Sequence, residues 1–468
     1  VRANYEKKQL ELKSDDYGLY KFCDWLPIKR MLQGSAAPVT YRSEALAKHL
    51  GLSNLWITLN GYAPEHGAKM RTCSFKETEA YSVCGRLGAD NRKILVVASA
   101  GNTARAFAKV CSENNIPLLI SIPANNIGAM WFSKPLNDCV KIIASPEGSD
   151  YYDAIALSDK VCTDPAFMAE GGAKNVARRD GMGTTLLSAV EVIGRIPDAY
   201  FQAIGSGTGA IAVWENNLRL IEDGRWGSHK MRLYPSQNDP FTIMYDSWKQ
   251  HSRQLVDMTP DQARKAAAEI DAKVLSNRKP PYSLAGGLFD AMEDAGGDMF
   301  KATNEELRYW KKRFAELEGI GQVLMIILPA LSQRRLNLAV LVVLDQDVDD
   351  VGGQRELVGG RGGQVVERGD FSRVQRPIRS GLFSDGGYRQ HAQQHAQRQR
   401  ESYDSLHNQF PLSLNSGISK TSGNTIPHLC KKCNPGMKKI QFCEDLQRQP
   451  PEYAPSLRKL QVLQCKYV

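Results

Sequence analysis

Ala199-Tyr200-Phe201-Gln202-Ala203-Ile204-Gly205-Ser206-Gly207-Thr208-Gly209-Ala210-Ile211-Ala212-Val213-Trp214 joins a short apolar run to a helix-like one through a glycine-rich turn. A run of that length bounded by glycine reads as a buried strand, and Ala210–Trp214 reads as the opening of a helix. Glycines at alternating positions let main-chain N–H groups converge on an anion, and the helix N-terminus adds partial positive charge. The turn is not a Walker A loop, because no Gly-Lys-Ser/Thr ends it. Nor is it the dinucleotide fingerprint, whose last glycine follows the second by three residues. Taken alone, Gly205, Ser206, Gly207, Thr208 and Gly209 fit either a phosphate cup or a merely tight turn.

Working back along the chain, the same alternation recurs. Lys93–Ala98 is a short apolar run, Thr103–Cys111 is helix-like, and Ile116–Ile122 and Val140–Ala144 read as further strands. Strand, helix and strand at this spacing make a parallel βαβ unit with a right-handed crossover. With a second such unit beginning at Ala199, the expected architecture is α/β, two open lobes with a cleft between them.

Open α/β sheets place ligands at the carboxyl ends of their strands. There the first lobe offers Ser99-Ala100-Gly101-Asn102-Thr103. Small residues permit close approach, Asn102 carries both a donor and an acceptor, and a carboxylate could dock on the helix start. The competing explanation is ordinary N-capping of the helix by Asn102. Upstream lies Thr72-Cys73-Ser74-Phe75-Lys76-Glu77. A lone lysine is usually a solvated charge, and Cys73 reads as a small buried side chain. In company with an anion cup and a polar small-residue loop, however, Lys76 supplies what a phosphorylated aldehyde such as pyridoxal phosphate needs, an amine for a Schiff base.

Ser74-Phe75-Lys76, Ser99–Thr103 and Gly205–Gly209, in this order, resemble the threonine-synthase branch of the fold type II pyridoxal-phosphate enzymes, whose fold is that of the tryptophan synthase β chain. Within that branch Ala37–Tyr41, Leu52–Leu55, Asn60–Tyr62 and Glu170–Thr184 are most similar to the archaeal cysteate synthase family, which makes L-cysteate from O-phospho-L-serine and sulfite on a route to coenzyme M in methanogens. The resemblance implies that Lys76 forms the Schiff base and, once released, serves as base at the substrate α-carbon. It implies that Asn102 contacts the cofactor ring oxygen and that Gly205, Ser206, Gly207, Thr208 and Gly209 hold its phosphate. Ser99, Ala100, Gly101 and Thr103 would receive the substrate carboxylate. Lys174, Arg178 and Arg179 are candidate cations for the anionic substrates, or else a solvated basic loop. Alternatives are threonine synthase or another phospho-amino-acid lyase and, from another class, a non-catalytic protein whose basic tail binds nucleic acid or a partner.

The resemblance runs from about Asn4 to Ile320 and stops after Phe314–Gly319, so the expected organisation is a catalytic region over 1–320, with its smaller lobe at roughly 80–190, and an atypical tail over 321–468. The segment that in relatives contacts the pyridine nitrogen is not found; Gly417-Ile418-Ser419 and Thr421-Ser422-Gly423 are poor substitutes in a low-complexity context. Of the formal charge of +9, residues 1–320 hold 40 Lys+Arg against 38 Asp+Glu, and residues 321–468 hold 20 against 13. Glutamine follows the same division, 7 against 17, and the stretch 389–400 is rich in glutamine and arginine. Disorder, or a tail read out of frame, is therefore expected there. Nucleic-acid binding by it is disfavoured, because aromatic residues are sparse and Asp345, Asp347, Asp349 and Asp350 precede it.

Ten cysteines are too scattered for a disulfide framework. Cys430 and Cys433, near Cys443 and His428, have zinc vocabulary without a second clean pair, so no metal is expected. The most apolar stretch, Val323–Leu344, is broken by Gln333, Arg334 and Arg335, which argues against a membrane span. Val1–Lys8 carries charge where a signal peptide needs an apolar run, so a cytoplasmic location is expected, with small-molecule substrates as partners. Enzymes of this type commonly associate, so a homo-oligomer is expected.

Overall fold

The computed structural model describes residues 3–99, 101–321 and 340–345. In chain order, β1 (Val39–Arg42), α1 (Ala45–Leu50), β2 (Leu55–Asn60) and the hairpin of β3 (Tyr62–Ala63) and β4 (Ala68–Lys69) lead into α2 (Lys76–Arg86). Next come β5 (Ile94–Ala98), α3 (Asn102–Glu113), β6 (Leu118–Pro123), β7 (Val140–Ser145), α4 (Tyr151–Val161) and β8 (Phe167–Ala169). The remainder is α5 (Val176–Ile193), β9 (Ala199–Ala203), α6 (Thr208–Asp223), β10 (Arg232–Asn238), α7 (Ile243–Lys249), α8 (Pro260–Glu269), α9 (Leu288–Ala295), β11 (Phe300–Ala302), α10 (Asn304–Glu318) and β12 (Val340–Asp345).

Two sheets result, as the strand–helix alternation predicts. The smaller is parallel throughout, in the order β7-β6-β5-β8, with Val97 opposite Ile120 and Ile120 opposite Ile142. Strands covered on both faces read as continuous apolar runs, which is why Leu95-Val96-Val97 and Leu118-Leu119-Ile120 carry no polar alternation and are buried. The larger sheet has the order β1-β2-β12-β9-β10-β11, antiparallel only between β1 and β2. Helix-covered cores lie on its two faces, one built on Tyr200, Ile211 and Leu233, the other on Ile57, Phe201 and Phe314.

β12 comes from beyond residue 320. Val340-Leu341-Val342-Val343-Leu344 inserts between β2 and β9, pairing Val342 with both Ile57 and Phe201, and all five side chains are buried. Its β-branched and leucine residues suit a central parallel strand, unlike the glutamine- and arginine-rich sequence that follows. The 389–400 stretch, the 417–423 segments and Cys430, Cys433, Cys443 and His428 lie outside the described residues. Among the described residues no helix is long and apolar enough to cross a membrane.

The helix that matters most for the site is α5, which lies between α2 and α6. Its fit depends on two glycines. A Cβ on Gly181 would stand 2.4 Å from the Thr78 carbonyl oxygen of α2, and one on Gly183 would stand 1.6 Å from Asn216 Nδ2 of α6. Absent side chains at these positions let three helices approach closely, carrying with them the turns at their N-termini.

Candidate functional site

Each of the three loops singled out in the sequence ends at a helix start. The first, Thr72–Phe75, is wound tightly before α2: the Thr72 N–H and hydroxyl both donate to Glu77 Oε2, at 3.1 and 2.8 Å, and the Lys76 N–H donates to Ser74 Oγ. Cys73 takes φ of 56°, an uncommon conformation for a residue with a side chain, and is buried. Strain of this kind collects at functional turns. Lys76 opens α2 with its side chain 16% exposed; Nζ stands 4.1 Å from the centre of the Phe75 ring and 3.7 Å from Glu79 Oε2. Phe75 packs on Met182 of α5 and Ala212 of α6, so the lysine turn abuts the first turns of the helix that follows the glycine loop.

At the second loop the Ser99 hydroxyl accepts from the N–H groups of Gly101 and Ala104, both at 3.0 Å. Ser99 thus supplies the cap, and Asn102 does not: Asn102 is the first residue of α3, after Gly101, and its side chain makes no capping bond. Instead Asn102 Oδ1 accepts from Arg105 Nη2 at 3.0 Å. Thr103 Oγ1 accepts from Arg178 Nη2 at 3.2 Å. Ala100 lies outside the described residues.

The third loop shares a neighbour with the second. A Cβ on Gly205 would stand 2.8 Å from Leu275 Cα, and one on Gly101 would stand 3.2 Å from Val274 Cγ1, so the short turn Lys273–Leu275 touches both loops. Gly207 sits at φ of 74° and precedes α6, where a side chain would also meet Leu288. Ser206 Oγ and Thr208 Oγ1 lie 2.9 Å apart across the turn. A sixteen-residue helix therefore presents its first N–H groups beside two hydroxyls, a donor set suited to a phosphate.

Two arginines tie the loops together. Arg105, 1% exposed, donates from Nε and Nη2 to the Thr72 carbonyl, at 3.2 and 2.9 Å, and so fastens the lysine turn to Asn102. Arg178 forms a bidentate pair with Glu79 (3.0 and 2.7 Å) and lies 3.3 Å from Glu170, fastening α2 to Thr103. Arg178 is thus engaged by two buried carboxylates rather than held out for an anionic substrate. Arg179 is likewise paired with Glu215 at 2.6 Å, and only Lys174, on the turn Gly172–Lys174, is exposed as a free-swinging loop cation would be.

The carboxylates respond to this setting. Burial alone would push Glu79 up, but the charges of Arg178 and Lys76 outweigh it and hold the carboxyl below the ordinary glutamate value. Glu170, where burial and the neighbouring Glu79 charge prevail over Arg178, is pushed up to about 7. Glu77 is raised by burial despite the Lys109 charge 3.4 Å away.

Sequence reasoning found the three loops but not their connectors. Glu79 and Arg105 each follow a singled-out residue by three positions on a helix, a spacing that puts side chains on one face and was legible. Val274 and Leu275 carried no such signal. Among the described residues no group of His, Cys, Asp and Glu is arranged to hold a metal ion.

Residues 34–321 match the model of the family described as pyridoxal-phosphate dependent enzyme. The cysteate synthase of Methanosarcina acetivorans is 46% identical over 321 residues, which are 68% of this chain and 77% of that protein. That of Methanocella arvoryzae is 48% identical over 324 residues, again 68% and 77%. Among solved structures, maize serine racemase superposes with a TM-score of 0.52 at 15% identity, covering 69% of this chain and 92% of that one. Diaminopropionate ammonia lyase from Escherichia coli gives 0.52 at 14%, covering 75% and 98%. At such identities these two speak to the fold alone, and it is the same two-lobed α/β fold. The family match spans all three loops of the site, and the chain accordingly belongs to the pyridoxal-phosphate-dependent enzymes of fold type II.

Proposed function

We propose that this enzyme is a cysteate synthase, exchanging the phosphate of O-phospho-L-serine for sulfite to give L-cysteate and inorganic phosphate. What supports the proposal is the set of ties between the three loops: Arg105 fastens the turn bearing Lys76 to Asn102, Phe75 of that turn packs on α6 behind the glycine turn, and Val274 and Leu275 lie against Gly101 and Gly205. The choice of phosphoserine and sulfite is supported by the cysteate synthases to which 68% of the chain is similar at 46–48% identity.

The residues fit pyridoxal phosphate, which when bound supplies an electron sink at the substrate α-carbon. The N–H groups of Gly205 to Gly209, with the Ser206 and Thr208 hydroxyls, would hold its phosphate, and Asn102 its ring oxygen. Lys76 Nζ would anchor its aldehyde carbon. The Ser99 hydroxyl, which accepts from the N–H groups of Gly101 and Ala104, keeps its own O–H to donate, so the substrate carboxylate would dock on that hydroxyl and on the main-chain N–H groups of Asn102 and Thr103 at the start of α3. The Lys76 amine takes the α-proton, and the Glu79 carboxylate 3.7 Å away offsets the ammonium charge that results. Phosphate leaves from Cβ, sulfite sulfur forms the new bond there, and the Lys76 ammonium returns its proton to the α-carbon. Of the three candidate cations Lys174 is the exposed one and would meet these anions; Arg178 acts indirectly, by fixing Glu79 and Thr103.

Phosphate release from O-phospho-L-serine, measured with and without sulfite and compared with release from O-phosphohomoserine in water, tests the assignment. Sulfite-dependent release with L-cysteate as product is expected. Release from phosphohomoserine with threonine as product would overturn it.

A further inference from the structure

We propose that Arg105 is a positioning residue that decides which end of the Asn102 carboxamide faces the cofactor. The inference rests on the reading of Asn102 as the ring-oxygen contact and assigns a second residue to that task. A carboxamide has an oxygen that only accepts and a nitrogen that only donates, and the two ends are nearly alike in shape. Turned one way, Asn102 stabilises an ionised ring oxygen by donating an N–H; turned the other, it repels it. A guanidinium can only donate, so its contact with Asn102 must be made to Oδ1, and the structure has that contact at 3.0 Å. The amide nitrogen is thereby directed away from Arg105.

Arg105 is suited to impose this choice because its own position is over-determined. It is 1% exposed, donates twice to the Thr72 carbonyl and once, from Nη1 at 3.1 Å, to the Ala129 carbonyl, and stacks 4.5 Å from the Trp131 ring centre. Those partners lie on the lysine turn and on the segment after β6, so the guanidinium plane is fixed independently of Asn102. The spacing of three residues on α3 places both side chains on one helix face.

The test is a pH titration of the cofactor-loaded full chain, read as the ratio of the long-wavelength absorbance, which reports an ionised ring oxygen, to the short-wavelength absorbance. Arg105→Met should raise the titration midpoint by about one pH unit, a tenfold change in that ratio. Asn102→Ala should do the same, and Arg105→Met should add nothing to the midpoint in the Asn102→Ala background, where a merely structural arginine would still act. Arg105→Lys keeps a donor toward Thr72 but lacks the fork that reaches Asn102 as well, so it should shift the midpoint in the same direction with unchanged thermal unfolding. A cofactor band whose midpoint is unmoved by Arg105→Lys and Arg105→Met, or moved equally with and without Asn102, overturns the proposal. Failure of the wild-type chain to show a cofactor band that Lys76→Ala abolishes overturns the parent reading, and this proposal with it.

Discussion

Replacing Gly181 by alanine tests whether close packing of α5 on α2 places the amine of Lys76. An added Cβ would stand 2.4 Å from the Thr78 carbonyl oxygen, 2.8 Å from Ser82 Cβ and 2.9 Å from Glu79 Cα. Ordinary contact begins near 3.4 Å. Two of the three atoms are main chain of α2, which cannot rotate aside, so the helices must separate by about 1 Å. Alanine favours a helix over glycine by roughly 1 kcal/mol, and overpacking of this severity costs roughly 3 kcal/mol, leaving a net destabilisation of about 2 kcal/mol. In a domain of this size that lowers the melting temperature by roughly 4 °C. Activity should suffer more, because α2 begins at Lys76 and a 1 Å misplacement of a reacting group costs about 100-fold. Thermal unfolding and turnover are compared with Gly128→Ala, whose Cβ would meet nothing within 4 Å. Gly183→Ala should be milder than Gly181→Ala although its nominal contact is closer, since the Asn216 amide it meets is the end of a rotatable side chain. Wild-type melting and turnover in Gly181→Ala would refute the account.

Other consequences follow from the buried charges and the loops. Glu170 has its carboxyl raised from 4.5 to about 7, so the folded chain binds a proton there more tightly than the unfolded chain does. The stability this gives is complete below pH 4.5 and is lost as pH rises through 7, at most roughly 3 kcal/mol; denaturant unfolding of Glu170→Gln at pH 5 and pH 8 should lack that decline. Arg178→Met strands the buried Glu79 carboxylate and should cost roughly 3–5 kcal/mol, most of it recovered on adding Glu79→Gln, as a double-mutant cycle by urea unfolding would reveal. Gly205→Ala drives a Cβ against the Leu275 main chain and should weaken cofactor binding by at least tenfold while leaving secondary structure by circular dichroism intact. Lys76→Ala should abolish the cofactor absorbance band; persistence of the band would remove this lysine from its assigned role.

What could be read from the sequence, and what could not, follows from the range of the interactions concerned. Leu95-Val96-Val97 and Tyr200-Phe201 declare buried parallel strands through composition alone, and the glycines at 205, 207 and 209 declare a turn, because these are local properties of the chain. β12 was hidden: Val340–Leu344 reads as one more apolar run in an atypical region, and only its two partners, 199–203 and 55–60, make it a central strand. Asn102 misleads in a related way. A helix-start asparagine has a good local use as a cap, and the local expectation fails because Ser99 has already taken the N–H groups of Gly101 and Ala104. The Asn102 side chain is then available for a partner further along the helix. Arg178 shows the converse, since nothing near it in sequence reveals that Glu79, 99 residues earlier, is buried and needs its charge.

These long-range pairs explain why three loops from separate parts of the chain can form one site. Each loop is short and would not hold its own geometry, yet each precedes a helix whose direction is set by packing. α5 fixes α2 against α6, which brings Lys76 toward the glycine turn; Arg105 and Arg178 then join the lysine turn and α2 to the start of α3, and Leu275 covers Gly205. Removing any one connector leaves the others in place but loosens a different pair of loops. Faults in Arg105 should therefore appear first in the state of the ring oxygen, faults in Gly181 in the placement of the amine, and faults in Gly205 in affinity for the phosphate. Separable defects of this kind distinguish a site assembled by packing from one whose loops are ordered only by the bound cofactor, in which all three substitutions would lower cofactor affinity alike.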